Sequence, residues 1–424
     1  MRTFRLLLLL FTGTGFISSL QAQTPLTPVT LTAVEDTFLV KNYLLLAQRY
    51  QVDADKALIK QAKLWSNPSF STVLGFGSTN NIKPFDVGAK GETQYNLDQL
   101  ILLAGKRNKN VQLATAHATL SEAGFDELVR TLKLQLRQSY YNLYFQQQTE
   151  KVLKAQLDNL QEILTAYTTA DKKGSVAHAD VIRLKALQVG LENDYADFKQ
   201  QELESQKNLQ QLLHSQDFYA ASLDDAMIAH YRLDSIQLPR LLASAVQNRP
   251  DVRIAAAQYQ SADINYRLQK ALAVPDLHLG ATYDKQGSYI NHFVGLTLGI
   301  DLPLWNRNQG NIQAARQTTG VQQQLLQQQE SVAQTEVLNA YQKIKALEKR
   351  YQDFDLHQFQ QEYDALIGEV AKNFSKGNIS LLQFIDYFNS YSDNIKNINK
   401  FLSTRVIAYE ELNYATGQEL FNKL

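Results

Sequence analysis

Cysteine is absent from this chain of 424 residues. That absence excludes disulfides, thiolate metal sites, a cysteine nucleophile and a lipid anchor on an N-terminal Cys. A charge of one sign is missing too: 42 basic residues face 42 acidic ones, so no global attraction to nucleic acid follows. Beyond residue 22 nothing approaches the ~20 consecutive apolar residues of a helical membrane span. Such a chain can sit in a membrane only as a β-barrel. Catalytic signatures are missing as well, with no GxSxG, HExxH, GxGxxG or phosphate loop. Carboxylates are numerous but lie on amphipathic helix faces, where solvation is their ordinary role. An enzyme therefore has no positive support. His278 and His292 flank one hairpin on separate strands with no carboxylate at ligand spacing, and His117, His178, His214, His230 and His357 are scattered over helices. No metal site and no cofactor is expected.

The first residues, MRTFRLLLLLFTGTGFISSLQAQ, place Arg2 and Arg5 before an apolar core from Leu6 to Phe11, then small and polar residues around Ala22. This is the pattern of a secretory signal over residues 1–22, cleaved near Ala22 or Gln23. The core is too short for a membrane anchor and is broken by Gly13 and Gly15. Without Arg2 and Arg5 the balance becomes 40 basic against 42 acidic residues, a formal charge of −2. An exported chain without disulfides is held by burial or by assembly.

Four landmarks recur in one order. Leu100-Ile101-Leu102 with the following AGKRN lies 202 residues before Leu302-Pro303-Leu304 with NRNQG. The turn Lys173-Gly174-Ser175-Val176 lies 203 before Lys376-Gly377-Asn378-Ile379, and Leu209–His214 lies 203 before Leu412–Gly417. WSNP, Trp65 to Pro68, corresponds to AVP, Ala273 to Pro275. The chain reads as a tandem duplication: a first repeat over 23–217, a linker over 218–237 and a second repeat over 238–424. Each repeat opens with a helical segment, about Val34–Leu64 and about Leu238–Leu272.

The period then drops to two. Val294, Leu296, Leu298, Ile300 and Leu302 alternate with Gly295, Thr297, Gly299 and Asp301. Leu277, Leu279, Ala281 and Tyr283 alternate with His278, Gly280 and Thr282, and Asp284 to Asn291 joins the two segments. In the first repeat Phe70, Thr72, Leu74 and Phe76 alternate with Ser71, Val73 and Gly75, and Tyr95, Leu97 and Gln99 mark a weaker returning strand. Two β-hairpins follow, over about 69–102 and about 276–303. Beyond each hairpin, proline disappears and apolar residues recur in steps of three and four: Leu153, Leu157, Leu160, Leu164, Tyr167 in one repeat; Val337, Tyr341, Ile344, Leu347, Tyr351 in the other. Steps averaging 3.5 denote coiled-coil packing. A helix of some 65 residues would be roughly 97 Å long, too long for any compact core.

The stretch I300-DLPLWNRNQGNIQAARQ-Q317 changes from strand to helix within a few residues. Asp301 and Pro303 close the strand, and Trp305 suits a membrane–water boundary, as Tyr95 and Tyr289 do. Four strands cannot close a barrel, and open sheet edges are not tolerated in hydrocarbon. The missing strands must come from other copies; two would give eight strands, three would give twelve and a lumen. The alternative is a secreted structural coiled coil carrying a small soluble sheet.

This order resembles the TolC family of outer-membrane efflux channels, including its branch serving metal-ion and drug pumps. The residues that carry it are WSNP (Trp65 to Pro68), LILLAGKR (Leu100 to Arg107), KKGSVAHADVIRLKA (Lys172 to Ala186), LQQLL (Leu209 to Leu213), NRPDVRIAAAQ (Asn248 to Gln258), LPLWNRNQGNIQAA (Leu302 to Ala315) and KGNISLLQFID (Lys376 to Asp386). The resemblance implies a mainly helical fold with a transmembrane β-barrel: a homotrimer whose copies each give four strands to twelve, above a periplasmic tube of helices. It implies a passive duct for small molecules or metal ions, working with a periplasmic adaptor and an inner-membrane transporter of RND type. A duct for type I protein secretion is the family's other use. The hairpin tips, Lys173, Gly174 and Ser175 with Lys376, Gly377 and Asn378, are where the tube would narrow and the adaptor dock. Asp180 stands at the first hairpin's acidic position, and Asp386 and Gln383 stand at the second hairpin's pair. Gln383 and Ile379, the latter in place of a gate arginine, depart from the family pattern and leave at most one ring of Asp386 carboxylates. Carboxylates gathered by symmetry attract cations and respond to pH.

Overall fold

The computed structural model describes residues 26–75, 77–78, 81–82, 91–223, 231–233, 237–286, 291–353 and 356–421. The signal expected over 1–22, Phe76, His230 and Tyr289 lie outside these. The first repeat contains β1 (Leu26–Val29), α1 (Leu31–Lys41), α2 (Tyr43–Ala62), β2 (Ser69–Leu74), β3 (Gly77–Ser78), β4 (Asn81–Ile82), β5 (Thr93–Ile101), α3 (Lys106–Lys172) and α4 (His178–Leu213). After β6 (Phe218–Ala221) come α5 (Leu238–Asn248), α6 (Pro250–Leu272), β7 (Leu277–Gln286), β8 (Asn291–Ile300), α7 (Gln309–Gln352), α8 (Leu356–Ser375) and α9 (Leu381–Thr416).

Duplication is visible in the local devices. Each opening helical segment, expected as one helix, is two. Asn42 ends α1 and starts α2, its side chain accepting from the backbone of Leu44 and Leu45 at 3.0 and 3.2 Å. Arg249 separates α5 from α6 because Pro250 pushes the preceding residue out of the helical region, to ψ 127°. Left-handed residues close both returning helices: His214 at φ 48° after α4 and Gly417 at φ 68° after α9. At Gly417 the backbone of Arg249 approaches so closely that an added Cβ would lie 3.0 Å from it. The repeats also differ. α3 runs unbroken for 67 residues, about 100 Å at 1.5 Å per residue. Its counterpart stops at Asp353, a poor helix former, and resumes as α8.

Four strands form an antiparallel sheet in the order β2-β5-β7-β8, and β3 pairs antiparallel with β4. The residues 218–237, expected as a plain link, begin with β6, which pairs in parallel with β1. In the four-stranded sheet Thr72, Tyr95, Tyr283 and Val294 lie in one row, as do Phe70, Leu97, Ala281 and Leu296. These rows belong to the apolar face. Leu296 is 89% exposed and Leu298 72%, values that no sheet in water tolerates over many residues. The opposite face carries Ser71, Asn96, Asp98, His278, Thr282 and Thr297. There His278 Nδ1 donates to Asp98 Oδ1 at 2.9 Å between neighbouring strands, and Thr282 donates to Asn96 at 2.8 Å. The Asp98–His278 contact was not expected from spacing, because the two residues are 180 positions apart. Among the described residues no group of His, Asp and Glu could hold a metal ion, and no helix is long and apolar enough to cross a membrane.

The main core lies where α1, α3, α5, α7 and α9 meet, around Phe38, Leu136, Tyr140, Tyr141, Val337, Ile344 and Tyr409. Within it sits a charged network. Arg137 contacts Glu410 at 2.7 Å and Glu35 at 2.6 Å, and Tyr231 donates to Glu410 at 2.6 Å. Arg137 is 4% exposed and Glu410 1%. Burial disfavours the Arg137 charge, but Glu410 and Glu35 outweigh it and push the guanidinium above its ordinary value. A second network joins Arg249 to Asp251 at 2.6 Å and to Glu336 at 2.6 Å, with Arg130 3.2 Å from Asp251. For Asp251, burial raises the pKa, but Arg249 and Arg130 prevail and hold it below the usual carboxylate value.

Replacing Arg137 by Leu leaves Glu410 buried without its cation, which should cost about 3–5 kcal/mol. Denaturant unfolding of the purified chain followed by helical circular dichroism reads this. The joint change with Glu410→Leu should recover most of the loss. Asp251 contributes stability that is complete above its ordinary pKa and is lost as pH falls through the depressed one. Wild type should therefore lose more stability than Asp251→Asn between pH 5 and lower values, with the difference developing below about pH 4.

Candidate functional site

The two hairpin tips are built alike. Gly174 at φ 69° and Gly377 at φ 73° turn the chain, conformations that cost an L side chain about 1 kcal/mol or more. In the first tip the N–H of Ser175 donates to the carbonyl of Ala170 at 2.9 Å and that of Gly174 to Asp171 at 2.8 Å. In the second, the N–H of Asn378 donates to the carbonyl of Asn373 at 2.9 Å and that of Gly377 to Phe374 at 3.0 Å. Both bonds across five residues close the last helical turn. Lys173, Lys376 and the rest of each turn are exposed or half-buried, a cationic surface at the end of the rods.

Asp180 lies in the first turn of α4, where the helix N-terminus favours a carboxylate. Arg183 approaches it to 3.8 Å. Gln383 forms a reciprocal cap with Ser380: its backbone N–H donates to Ser380 Oγ at 3.3 Å, and its side-chain oxygen accepts from the Ser380 N–H at 3.0 Å. Its carboxamide is thus committed to starting α9. Asp386, one turn on, is exposed, and no hydrogen bond or ion pair among the described residues reaches it. The fold brings the two tips together, but within one copy it does not join Asp180, Gln383 and Asp386 into a bonded cluster.

What joins the tips is apolar. Leu160, Leu164, Val181 and Leu184 of the first hairpin share a core with Val370, Phe374, Leu381 and Phe384 of the second. Tyr167 stacks on Phe374 with centroids 5.1 Å apart and planes 11° from parallel, and Phe374 stacks on Phe384 at 4.3 Å. Ile379, the departure from the arginine position noted in the sequence, packs against this core. Burial raises the Tyr167 hydroxyl pKa, and the nearby Asp180 charge adds to it. Further up, α3 and α9 meet through polar pairs: Ser392 donates to Gln156 at 2.7 Å and Asn399 to Thr149 at 2.9 Å. Lys396 links the hairpins to Asp194 at 2.6 Å. The aromatic stack was missed at the sequence level. Its signal was the Phe384–Phe388 spacing of four beside a glycine turn, but the partner Tyr167 lies more than two hundred residues away.

The geometry is that of known channels. Residues 36–214 and 241–418 each match the outer membrane efflux protein family, one match per repeat. A curated relative, the cobalt-zinc-cadmium resistance protein CzcC of Cupriavidus metallidurans, is 23% identical over 302 residues, covering 70% of this chain and 69% of its own. The CmeC outer membrane channel of Campylobacter jejuni superposes with a TM-score of 0.74 at 16% identity, over 91% of this chain and 85% of that one. The MtrE outer membrane channel of Neisseria gonorrhoeae, in its open state, gives 0.70 at 18% identity, over 92% and 89%. With both repeats covered by the family and the same fold in solved channels, this chain belongs to the outer membrane efflux protein family, passive channels of the outer membrane rather than enzymes.

Proposed function

We propose that three copies of this chain form one duct, a barrel of twelve strands in the outer membrane above a periplasmic tube of helices. The observation that carries this reading is the four-stranded sheet: an apolar face, two unpaired edges and no closure of its own. Channels of this family serve tripartite systems with a periplasmic adaptor and an inner-membrane pump; here the pump is of RND type. The pump supplies energy and selects cargo, and the tube filters by size and charge. The likeness to CzcC favours divalent metal ions as cargo.

The tips are the periplasmic gate in this reading. Lys173, Gly174, Ser175, Lys376, Gly377 and Asn378 form the adaptor's docking surface. Three Asp386 carboxylates collar the opening, with Asp180 and Gln383 beside them. No arginine occupies position 379; at the tips the Tyr167–Phe374 stack joins the two hairpins of each copy, and the Lys396–Asp194 ion pair joins them further up.

The deciding experiment is purification in detergent followed by native mass measurement and planar-bilayer recording. Trimers with discrete conductance are expected; a water-soluble monomer without conductance would sink the duct and leave the structural coiled coil. Asp386→Ala should weaken cation preference in single-channel records, and unchanged selectivity would remove Asp386 from the collar. Phe374→Ala should raise the resting conductance of the adaptor-free channel several-fold while leaving trimer mass unchanged.

A further inference from the structure

Both tryptophans of the chain stand where strand and helix meet. Trp65 follows α2 and precedes β2, Trp305 follows β8 and precedes α7, and the two are 62% and 87% exposed. Leu64, Leu302 and Leu304 beside them are exposed as well. From Val294 to Leu302 the apolar face of the last strand runs eight steps of about 3.3 Å, which at a tilt of about 40° rise roughly 20 Å, most of the ~25 Å apolar band of a barrel in a bilayer. The indole rings therefore mark the helical end of that band, a boundary that such rings favour.

The same junction is cationic. The segments that flank the strands on the helical side, 57–68, 102–112, 263–276 and 301–312, hold eight Lys and Arg against three Asp. Lys106 engages Asp276 at 2.7 Å and Arg267 engages Asp263 at 3.0 Å. Among the described residues this leaves Lys60, Lys63, Arg107, Lys109, Lys270 and Arg307 without a carboxylate partner, against Asp301 alone. The loop sequences at the other end of the sheet, 75–92 and 284–291, balance three Lys against three acidic residues, so the excess belongs to one side only. Arg107 is held for contact rather than neutralised: its guanidinium lies 4.3 Å over the Trp65 ring, and one amino group donates to the Lys63 carbonyl at 3.2 Å. Arg307 stands two residues beyond Trp305 and is exposed.

We propose that this junction holds the headgroups of anionic phospholipids in the periplasmic leaflet of the outer membrane, with Arg107 and Arg307 as the main phosphate contacts. The proposal rests on the duct reading, which sets the sheet in the bilayer, and names a lipid partner for it. Acyl chains cover Leu302 and Leu304, the indole rings lie at the level between chains and headgroups, and the cations meet the phosphates. Each Lys or Arg near an anionic membrane surface adds to the attraction. A zwitterionic headgroup brings its own ammonium group and leaves the cationic excess uncompensated. Free phosphate supplies the charge without covering the exposed leucines.

The test compares two lipids on the purified channel. Native mass spectra of the detergent-solubilised trimer, titrated with phosphatidylglycerol or with phosphatidylethanolamine, should show phosphatidylglycerol retained in preference. Arg107→Gln/Arg307→Gln should cut that preference by roughly tenfold, with trimer mass and conductance unchanged. Lys185→Gln/Lys345→Gln, at exposed positions on the helices, should keep the wild-type preference. Lys63→Gln/Lys270→Gln is the second variant, should the arginine variant fail to assemble, and should cut the preference several-fold. Equal retention of the two lipids by wild type, a preference that survives both junction variants, an equal loss in the Lys185/Lys345 control, or displacement of the lipid by millimolar inorganic phosphate overturns the lipid site while leaving the duct intact. A chain that yields neither trimers nor conductance takes the duct down as well.

Discussion

A strand edge presents a row of N–H and C=O groups, and in hydrocarbon each unpaired group costs several kcal/mol. The rest of the molecule follows from this one cost. One repeat supplies a hairpin of two strands, and the duplication supplies a second hairpin that covers β5 with β7. That pairing removes two edges and leaves two. Among the described residues no further strand is at hand for them, since β1 and β6 are spent on each other and β3 and β4 likewise. The helices take their order from the same duplication, so the sheet and the tube are one cyclic plan drawn over part of a circle.

Where the two repeats diverge, their roles diverge. The 67-residue α3 gives the first repeat an unbroken spine that touches the sheet at one end and the tip at the other. In the second repeat the helix after the hairpin, α7, ends at Gln352 and α8 begins at Leu356. Arg137, buried in α3, binds Glu410 of α9 and Glu35 of α1, and Arg249 holds the α5–α6 corner against Glu336 of α7. These ion networks sit in the waist of the chain, where five helices converge, and fix how the halves lie against each other. A buried pair of this kind is weak as a source of net stability but costly to break, which suits a joint that must keep one geometry.

Much of this was legible beforehand. Period-two alternation showed which face of each strand is apolar, because the strand period is fixed at two. Gly174 and Gly377 announced their turns because positive φ is cheap only for glycine. The corner at Arg249 was written in its Pro250, yet the smooth apolar periodicity across it suggested one continuous helix, and Asn42, which makes the equivalent corner by capping, gave no stronger hint. The ion networks, the parallel β1–β6 pair and the Tyr167–Phe374 stack were not legible. Apart from the neighbours Arg249 and Asp251, their partners lie from about 90 to more than 200 residues apart, and periodicity reports that a side chain is buried without saying against what.

The chemistry of the tip sets a scale for gating in the proposed duct. Separating the two hairpins of one copy would break the Tyr167–Phe374 stack and expose the outer faces of Phe374 and Phe384 together with those of Leu160, Leu164, Val181 and Leu184, all buried in the shared core. At roughly 1.5–3 kcal/mol per large apolar side chain, that costs on the order of 5 kcal/mol per copy. Thermal motion at about 0.6 kcal/mol rarely supplies this in one copy, and three copies opening together multiply the cost. An ion-pair gate would weaken with salt; a stack of aromatic rings does not. A partner that opens such a tip must therefore bind its surface with enough differential affinity to offset the lost burial, and the exposed turns at Lys173–Ser175 and Lys376–Asn378, adjoining that core, are where such binding would act on it most directly.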